Sequence, residues 1–259
     1  MRFLTISDTH VRGTSHHDSG WLLLHRARAI VQEGGVDLVL FGGDLAEPRT
    51  GMLDPALDLL ASFGVPVLWV VGNNDLEALE TTHLSNYASI AQHRASLAGT
   101  SIYVLDTMPF VMDGIAFVGN YAGYDGSLYH EPSSPRCQEL LRQLDRIHGK
   151  AGLDLDPRHL HLRCLRRLRE DLRSLPPEMP KVVCTHTVPD GRFLKYGHST
   201  KFDDYNVSMG WADTFIGTVP GLRHQFCGHT HRSQTVERDG LPPIINISGA
   251  EQPRVFSFF

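Results

Sequence analysis

The first 75 residues alternate between short apolar runs and amphipathic stretches, and this alternation limits the fold more than any other feature of the sequence. Three runs have the length and composition of buried strands, and they cover Arg2–Ile6, Val36–Phe41 and Val65–Val71. The stretches between them have helical periodicity, at Trp21–Gln32 and Asp54–Ser62. This β-α-β-α-β order predicts an α/β protein.

Further strand-like runs lie on both sides of a long helical stretch. They cover Ser101–Leu105, Val111–Val118, Lys181–Thr185, Gln225–Cys227, Thr235–Arg238 and Ile244–Ser248. Leu76–Leu97 is predicted to be mostly helical, and residues from about 128 to 176 form a helical insertion or cap. Two strand sets separated by a helical segment fit two packed sheets better than one doubly wound sheet. We therefore expect a single domain over residues 1–259, of the α/β (α+β) class, with two packed mixed sheets flanked by helices.

The composition is that of a globular protein with a small acidic excess. The 259 residues carry 24 Lys and Arg against 29 Asp and Glu, a formal net charge of −5, which disfavours a dedicated nucleic-acid binder. No apolar run approaches the ~18 residues of a membrane span, and the N-terminal apolar stretch is too short for a signal peptide. The four cysteines form no Cys-x-x-Cys pair. These features predict a cytoplasmic protein without a membrane segment.

Each of the three N-terminal strands is followed by an aspartate or an asparagine. Asp8, Asp44 and Asn73 stand just beyond the ends of the apolar runs. In open α/β sheets, the loops at the carboxyl ends of the strands form the edge where ligands bind. One polar residue after a strand is usually a helix cap, but three in succession favour a functional site.

Histidines in similar positions complete a candidate metal-binding set. The set is Asp8, His10, Asp44, Asn73, His186, His229 and His231. Oxygen and imidazole ligands without thiolates suit Mn²⁺, Fe or Zn²⁺. Seven ligands are too many for one tetrahedral ion, but they fit two divalent ions when one carboxylate bridges them. Asp44 is the expected bridge because it follows the central strand and stands behind Gly42 and Gly43, which allow close backbone approach.

In chain order these residues form five motifs, D-x-H, G-D, G-N-x-D, a single H and G-H-x-H, which together span Asp8 to His231. The series resembles the calcineurin-like metallophosphoesterase superfamily. The resemblance implies a four-layer α/β/β/α sandwich with a dinuclear metal centre, Mn²⁺ being favoured, whose shared hydroxide attacks phosphorus in line with the leaving oxygen. Matched motif by motif, one ion would be held by Asp8, His10, Asp44 and His231, and the other by Asp44, Asn73, His186 and His229.

One position departs from the family pattern. The third motif usually contains a histidine that assists the leaving group, followed by an acid that orients the imidazole, whereas this chain has Asn74 and Asp75. Asparagine donates a hydrogen bond but transfers no proton at neutral pH. Because family members without this histidine resemble phosphodiesterases, we predict a phosphodiesterase with Asn74 and Asp75 as catalytic residues. A histidine from elsewhere is the alternative, and the candidates are His16, His17, His83 and His198.

Several functions remain as alternatives on the sequence alone. The G-D-x-V-D-R-G block of protein Ser/Thr phosphatases is absent, since Asp44 is followed by Leu45-Ala46-Glu47-Pro48. A non-catalytic scaffold with the same fold is one competing hypothesis. A nuclease of the same superfamily is another, because the Arg163–Arg173 segment is strongly basic, although net charge counts against it. The favoured partner is a small phosphate ester or a nucleotide-type substrate.

Overall fold

The computed structural model describes residues 1–15, 17–78, 97, 99–129, 131–150, 157–194, 215–249 and 252–258. The helical prediction for Leu76–Leu97 lies mostly outside these ranges, and so do the candidate histidines His16, His83 and His198.

Strands and helices follow one another much as the sequence predicts. The described strands are β1 (Arg2–Ile6), β2 (Leu38–Phe41), β3 (Val67–Trp69), β4 (Ile102–Val104), β5 (Phe110–Met112), β6 (Ile115–Asn120), β7 (Lys181–Thr185), β8 (Leu222–Cys227), β9 (Gln234–Arg238), β10 (Leu241–Asn246) and β11 (Arg254–Ser257). The described helices are α1 (Ser19–Gln32), α2 (Leu53–Ala61), α3 (Asn73–Ala78), α4 (Pro135–Lys150) and α5 (Pro157–Arg173). None of these helices has the length and apolarity needed to cross a membrane.

The strands form two mixed sheets, which confirms the predicted fold class. The first sheet has the order β11-β1-β2-β3-β4, in which β1 to β4 are parallel and β11 is antiparallel to β1. The second has the order β5-β6-β7-β8-β10-β9, with a parallel centre and an antiparallel strand at each side. Parallel neighbours bring their carboxyl ends to one edge of each sheet, and this property positions the site.

The side-chain alternation of the strands produces a four-layer sandwich. In β1, Leu4 packs toward α1 and α2, whereas Phe3 faces the second sheet. In β7, Val182 lies between the sheets, whereas Val183 packs on the other side with Leu168 of α5. The layers are therefore α1 and α2, the first sheet, the second sheet, and α5.

The arginine-rich helix α5 has one buried stripe and one solvated face. Leu168 and Leu172 are buried against the outer face of the second sheet, while Arg163 and Arg166 are exposed. Arg167 donates to Asp171 on the same helix. Leucines at helical spacing thus dock the helix on the sheet, and most of the arginines face water. The domain boundaries and the limits of the insertion stay predictions.

Two features of the sheets differ from the sequence-based expectation. The boundary between the sheets lies between β4 and β5, before the helical segment, because β5 and β6 form a hairpin that joins the second sheet. Strand β11 was not predicted, and it returns to the first sheet beside β1. Both features depend on long-range pairing, and β11 is half-exposed, so its sequence has no clear strand pattern.

Candidate metal centre

Six of the seven predicted ligands lie in loops just after the carboxyl ends of strands, and Asn73 begins α3 after β3. Backbone hydrogen bonds tie these loops together in pairs. The amide of Asp8 donates to the carbonyl of Gly43 at 2.8 Å, and the amide of Gly228 donates to the carbonyl of His186 at 2.9 Å. The amide of His229, after β8, donates to Oδ1 of Asp8, after β1, at 3.0 Å and so joins the loops of the two sheets.

Five of the seven residues have left-handed backbone conformations. Their φ angles are 55° for Asp8, 47° for His10, 57° for Asp44, 75° for His229 and 54° for His231. Residues with a Cβ rarely adopt positive φ, and such strained conformations concentrate at functional sites, where the surrounding structure enforces them. The concentration of five such residues at one edge therefore supports a functional site there.

The first group of ligand atoms comes from Asp8, His10 and His231, and these atoms lie within 4.8 Å of one another. Oδ1 of Asp8 is 3.8 Å from Nε2 of His10 and 3.7 Å from Nε2 of His231. The two Nε2 atoms are 3.0 Å apart, close to the roughly 3.4 Å between two nitrogen ligands of one tetrahedral ion. Backbone donation from His229 at 3.0 Å and the hydroxyl of Ser7 fix the Asp8 carboxylate.

The second group comes from Asp44, His186 and His229, again within 4.8 Å, and Asn73 lies beside it. Nε2 of His186 is 3.4 Å from Oδ1 of Asp44 and 3.0 Å from Oδ1 of Asn73. Nδ1 of His186 faces the carbonyl of Gly42 at 2.8 Å, which holds the proton on Nδ1 and leaves Nε2 to bind a metal.

A buried atom in the second group indicates that a cation belongs there. Nε2 of His229 is buried and has no hydrogen-bond partner within the described part of the chain. Buried polar atoms are nearly always paired in native proteins. A metal ion between His229, His186 and Asp44 would satisfy this atom, so the residues fit the implied metal.

Asp44 lies between the two groups. Its Oδ2 is 3.6 Å from Nε2 of His10 in the first group, and its Oδ1 is 3.4 Å from Nε2 of His186 in the second. The side chain is 2% exposed. One carboxylate thus presents one oxygen to each group, which is the geometry that a bridging ligand requires.

The electrostatics of the site favour ionised carboxylates. Burial would raise the pKa of Asp44, but the neighbouring His186 and His10 hold it well below its usual range. Burial would likewise lower the pKa of His186, yet the Asp44 carboxylate raises it to about 10. Burial and the field of His186 lower the pKa of His229 to about 3, so this imidazole is neutral. Metal binding at His186 therefore releases a proton, as expected when a cation replaces it.

Comparison with known protein families identifies the family of this chain. A family model described as calcineurin-like phosphoesterase matches residues 1–233. The chain belongs to this family. The resemblance inferred from the five motifs is confirmed, and the protein is a metal-dependent phosphoesterase with a dinuclear site for divalent metal ions.

Solved structures with this fold include a hydrolase and a phosphatase. A phosphopantetheinyl hydrolase from Mycobacterium tuberculosis has a TM-score of 0.65 and 17% sequence identity, over 95% of this chain and 88% of that chain. A dimetal phosphatase from Danio rerio has a TM-score of 0.56 and 15% identity, over 95% of this chain and 86% of that chain. No curated protein sequence matches significantly. At these identities the likeness shows the fold.

In this calcineurin-like phosphoesterase, Asn74 points into the site. Its backbone amide donates to Oδ1 of Asp44 at 2.9 Å, and its side-chain nitrogen lies 3.2 Å from Oδ2 of Asp44 and 2.9 Å from Nδ1 of His10. The position of the usual family histidine is therefore occupied by an amide that contacts residues of both groups.

Asp75 has a different environment from the one that the motif suggests. It is fully buried, and its two oxygens accept backbone hydrogen bonds from Asp44 at 2.9 Å, Leu45 at 2.8 Å and Gly72 at 2.9 Å. Burial, followed by the field of Asp44, raises the pKa of Asp75 to about 6. These contacts make Asp75 a residue that positions the loops after β2 and β3, with no described contact to the side chain of Asn74.

Glu47 and Asp106 also contribute to the site, and neither was selected from the sequence. Oε1 of Glu47 lies 3.2 Å from Nδ1 of His10. Asp106 accepts from the amide of Val71, just after β3, at 2.9 Å and from the amide of Tyr121, just after β6, at 2.8 Å. It therefore joins the site-bearing edges of the two sheets. Glu47 carried a partial signal, because it follows the G-D motif by three residues, whereas nothing near Asp106 in the sequence marks it.

Proposed function

We propose that this phosphoesterase hydrolyses phosphodiesters in preference to phosphomonoesters, with small or nucleotide-type esters as its substrates. The observation that carries the proposal is the Asn74 amide, which lies against Asp44 and His10 where the family pattern has a histidine. The proposal concerns the type of ester and the proton transfer, both of which depend on this position.

We assign one ion to Asp8, His10 and His231 and the other to Asn73, His186 and His229, with Asp44 shared. When bound, two divalent ions lower the pKa of a shared water and neutralise charge on the phosphoryl oxygens. Oxygen and imidazole donors are compatible with Mn²⁺, which we favour, and with Fe or Zn²⁺. As a neutral ligand, Asn73 limits the negative charge that faces an anionic substrate.

The protein groups near the metals determine which esters react well. A proton donor at the leaving oxygen contributes ~10²–10⁴ in rate when the leaving group is poor. Asn74 can hydrogen-bond to a phosphoryl oxygen but cannot supply that proton at neutral pH. An alkyl monoester dianion with a poor leaving group is therefore a weak substrate, whereas an activated diester depends mainly on the metals and on hydrogen bonds.

A non-catalytic scaffold is the competing function. Its prediction is that the purified protein contains no stoichiometric divalent metal and hydrolyses no ester in the presence of Mn²⁺. Convergence of all seven predicted ligands in two compact groups favours the enzyme. Metal analysis followed by a diester assay separates the two hypotheses.

The test of the proposal combines matched substrates with substitution of Asn74. With Mn²⁺, bis(4-nitrophenyl) phosphate and cyclic nucleotides should be hydrolysed faster than 4-nitrophenyl phosphate and alkyl monoesters. Asn74→His should raise the ratio of monoesterase to diesterase kcat/KM by about tenfold to a hundredfold, which is at most the low end of general-acid effects. The gain is limited because Asp75 is engaged with backbone amides and does not orient an imidazole. Asn74→Gln, which adds length without a titratable group, is the control and should leave the ratio unchanged.

Two results would contradict the proposal. A wild-type preference for alkyl monoesters, unchanged in Asn74→His, would mean that another group donates the proton. Cleavage of single- or double-stranded DNA at rates above those for small diesters would favour the nuclease alternative.

A further inference from the structure

A cavity outside the metal centre lies on the outer face of the second sheet, between the carboxyl-terminal half of α5 and the loop before β8. Its volume is about 400 Å³, within the range of about 300–1,000 Å³ for small-molecule sites. Leu172, Leu175 and Val219 contribute apolar walls. A cavity of this size and polarity can enclose the apolar body of a small organic molecule.

The charged side chains that line this cavity are all cationic. Arg169 and Arg173 both line it, and within the described ranges neither is paired with a carboxylate. The guanidinium of Arg169 lies 4.5 Å from the centroid of the Phe215 ring, which orients it at the cavity through a cation–π contact. Positive groups beside apolar walls complement an anionic head attached to an apolar body.

Lys181 also lines the cavity and adds a third positive charge. The residue is 1% exposed, and its Nζ donates to the carbonyls of Pro176, Pro177, Met179 and Pro220 at 2.7–3.1 Å. These carbonyls hold the ammonium in place. Burial lowers the pKa of Lys181, and the negative charge of Glu178 offsets this effect only in part. The cavity lining therefore includes an ammonium group held in one place by backbone carbonyls.

The cavity is separate from the metal centre. Lys181 begins β7, and His186 follows the last residue of the same strand. Five residues of strand at about 3.3 Å each place the two positions roughly 16 Å apart. An occupant of the cavity therefore does not reach the metal ligands.

We propose that this cavity is a binding site for a free organic anion that has an apolar, preferably aromatic, body and a single acidic group. Its head binds Arg169 and Arg173, and its body fills the space between Leu172, Leu175 and Val219. The site takes a ligand different from the phosphate ester at the metal centre, because its walls are apolar and the described residues that line it offer no metal ligand cluster.

The test uses two fluorescent probes with the same aromatic body. 8-Anilinonaphthalene-1-sulfonate carries a sulfonate, and N-phenyl-1-naphthylamine lacks it. Titrated into the metal-loaded full chain, the sulfonate should bind one site at least about tenfold more tightly than the neutral probe, the scale of one charge-assisted hydrogen bond. Equal affinities for the two probes would overturn the proposal, because the site would then be apolar without anion recognition.

Substitutions locate the binding. Arg169→Gln and Arg173→Gln should each weaken sulfonate binding by about tenfold and leave the neutral probe unaffected. Arg166→Gln is the matched control, since Arg166 is exposed on the same helix and outside the cavity. Thr218→Trp, which fills the cavity from its rim, should abolish binding of both probes without lowering the Tm. Unchanged sulfonate affinity in both arginine variants, or equal loss in Arg166→Gln, would overturn the proposal.

Discussion

Glu47 offers a sharp test of how the first group of ligands is organised. A histidine that binds metal through Nε2 carries its proton on Nδ1, and an acceptor there fixes the tautomer and the ring. For His10 that acceptor is Oε1 of Glu47, at 3.2 Å. The amide nitrogen of Asn74, at 2.9 Å from the same Nδ1, is a donor and cannot serve.

Removal of such an acceptor typically costs 10–100-fold in metal affinity, which is about 1.4–2.8 kcal/mol. Glu47→Gln keeps a neutral acceptor oxygen, so this variant should bind the metal about tenfold more weakly than wild type. Glu47→Ala leaves Nδ1–H of His10 without this acceptor, so the loss of metal affinity should approach a hundredfold. Among the described ligands, Glu47 contacts His10 of the first group and none of the second. One of the two bound ions should therefore bind more weakly while the other keeps its wild-type affinity.

The assay is a two-site metal titration by calorimetry, with metal content measured on the same samples. Arg12→Gln is the control, because Nη2 of Arg12 contacts Oε1 of Glu47 at 3.2 Å from an exposed position, and its loss leaves His10 untouched. Arg12→Gln should change neither affinity more than about threefold. The reasoning would be refuted if Glu47→Ala bound both ions with wild-type affinity, or if Arg12→Gln lost as much metal affinity as Glu47→Ala.

Three further predictions concern the bridge and the buried groups. Asp44→Ala should abolish activity and lower the metal content by more than one equivalent, and a wild-type protein that stays active after complete chelation would contradict this. Cys184→Ser should lower the free energy of unfolding by about 1–3 kcal/mol, because it buries a hydroxyl in the apolar layer between the sheets. The variant should keep the wild-type metal stoichiometry. Loss of a metal from the folded variant would mean that Cys184 is a ligand. Burial raises the pKa of Asp106 from 3.8 to about 7, so the native state keeps this proton to a higher pH than the unfolded state. The free energy of unfolding of wild type should therefore fall relative to that of Asp106→Asn as pH rises from about 4 to about 7, by up to ~1.4 kcal/mol per pH unit. A difference in unfolding free energy between the two proteins that stays constant over this pH range would be inconsistent with a raised pKa.

Much of the architecture could be predicted from local patterns. Apolar runs bounded by helices located β1, β2 and β3, because a strand buried on both faces leaves a continuous apolar sequence. The polar residues that follow those strands fell at one edge, because parallel strands align their carboxyl ends. Cys184, two residues before His186 in an apolar run of the sequence, is completely buried between the sheets.

Other features depend on contacts between residues distant in the chain. β11 pairs with β1 across about 250 residues and has no apolar alternation of its own. Likewise, the sequence pattern around Asp75 suggested an interaction with its neighbour at position 74, whereas the fold directs its carboxylate to the amides of Asp44 and Gly72. Local spacing carries no information about such partners.

The ligand types, their order and the chain segments that carry them could be predicted from the sequence, because strand ends and short motifs are local properties. The tertiary structure brings these residues into the two groups that the resemblance implied, with Asp44 placed between them. It also supplied Glu47 behind His10 and Asp106 between the sheets. These contacts arise when two sheets pack and their loops meet, and the energy of that packing also holds Asp8 and its neighbours in left-handed conformations that no local preference would select.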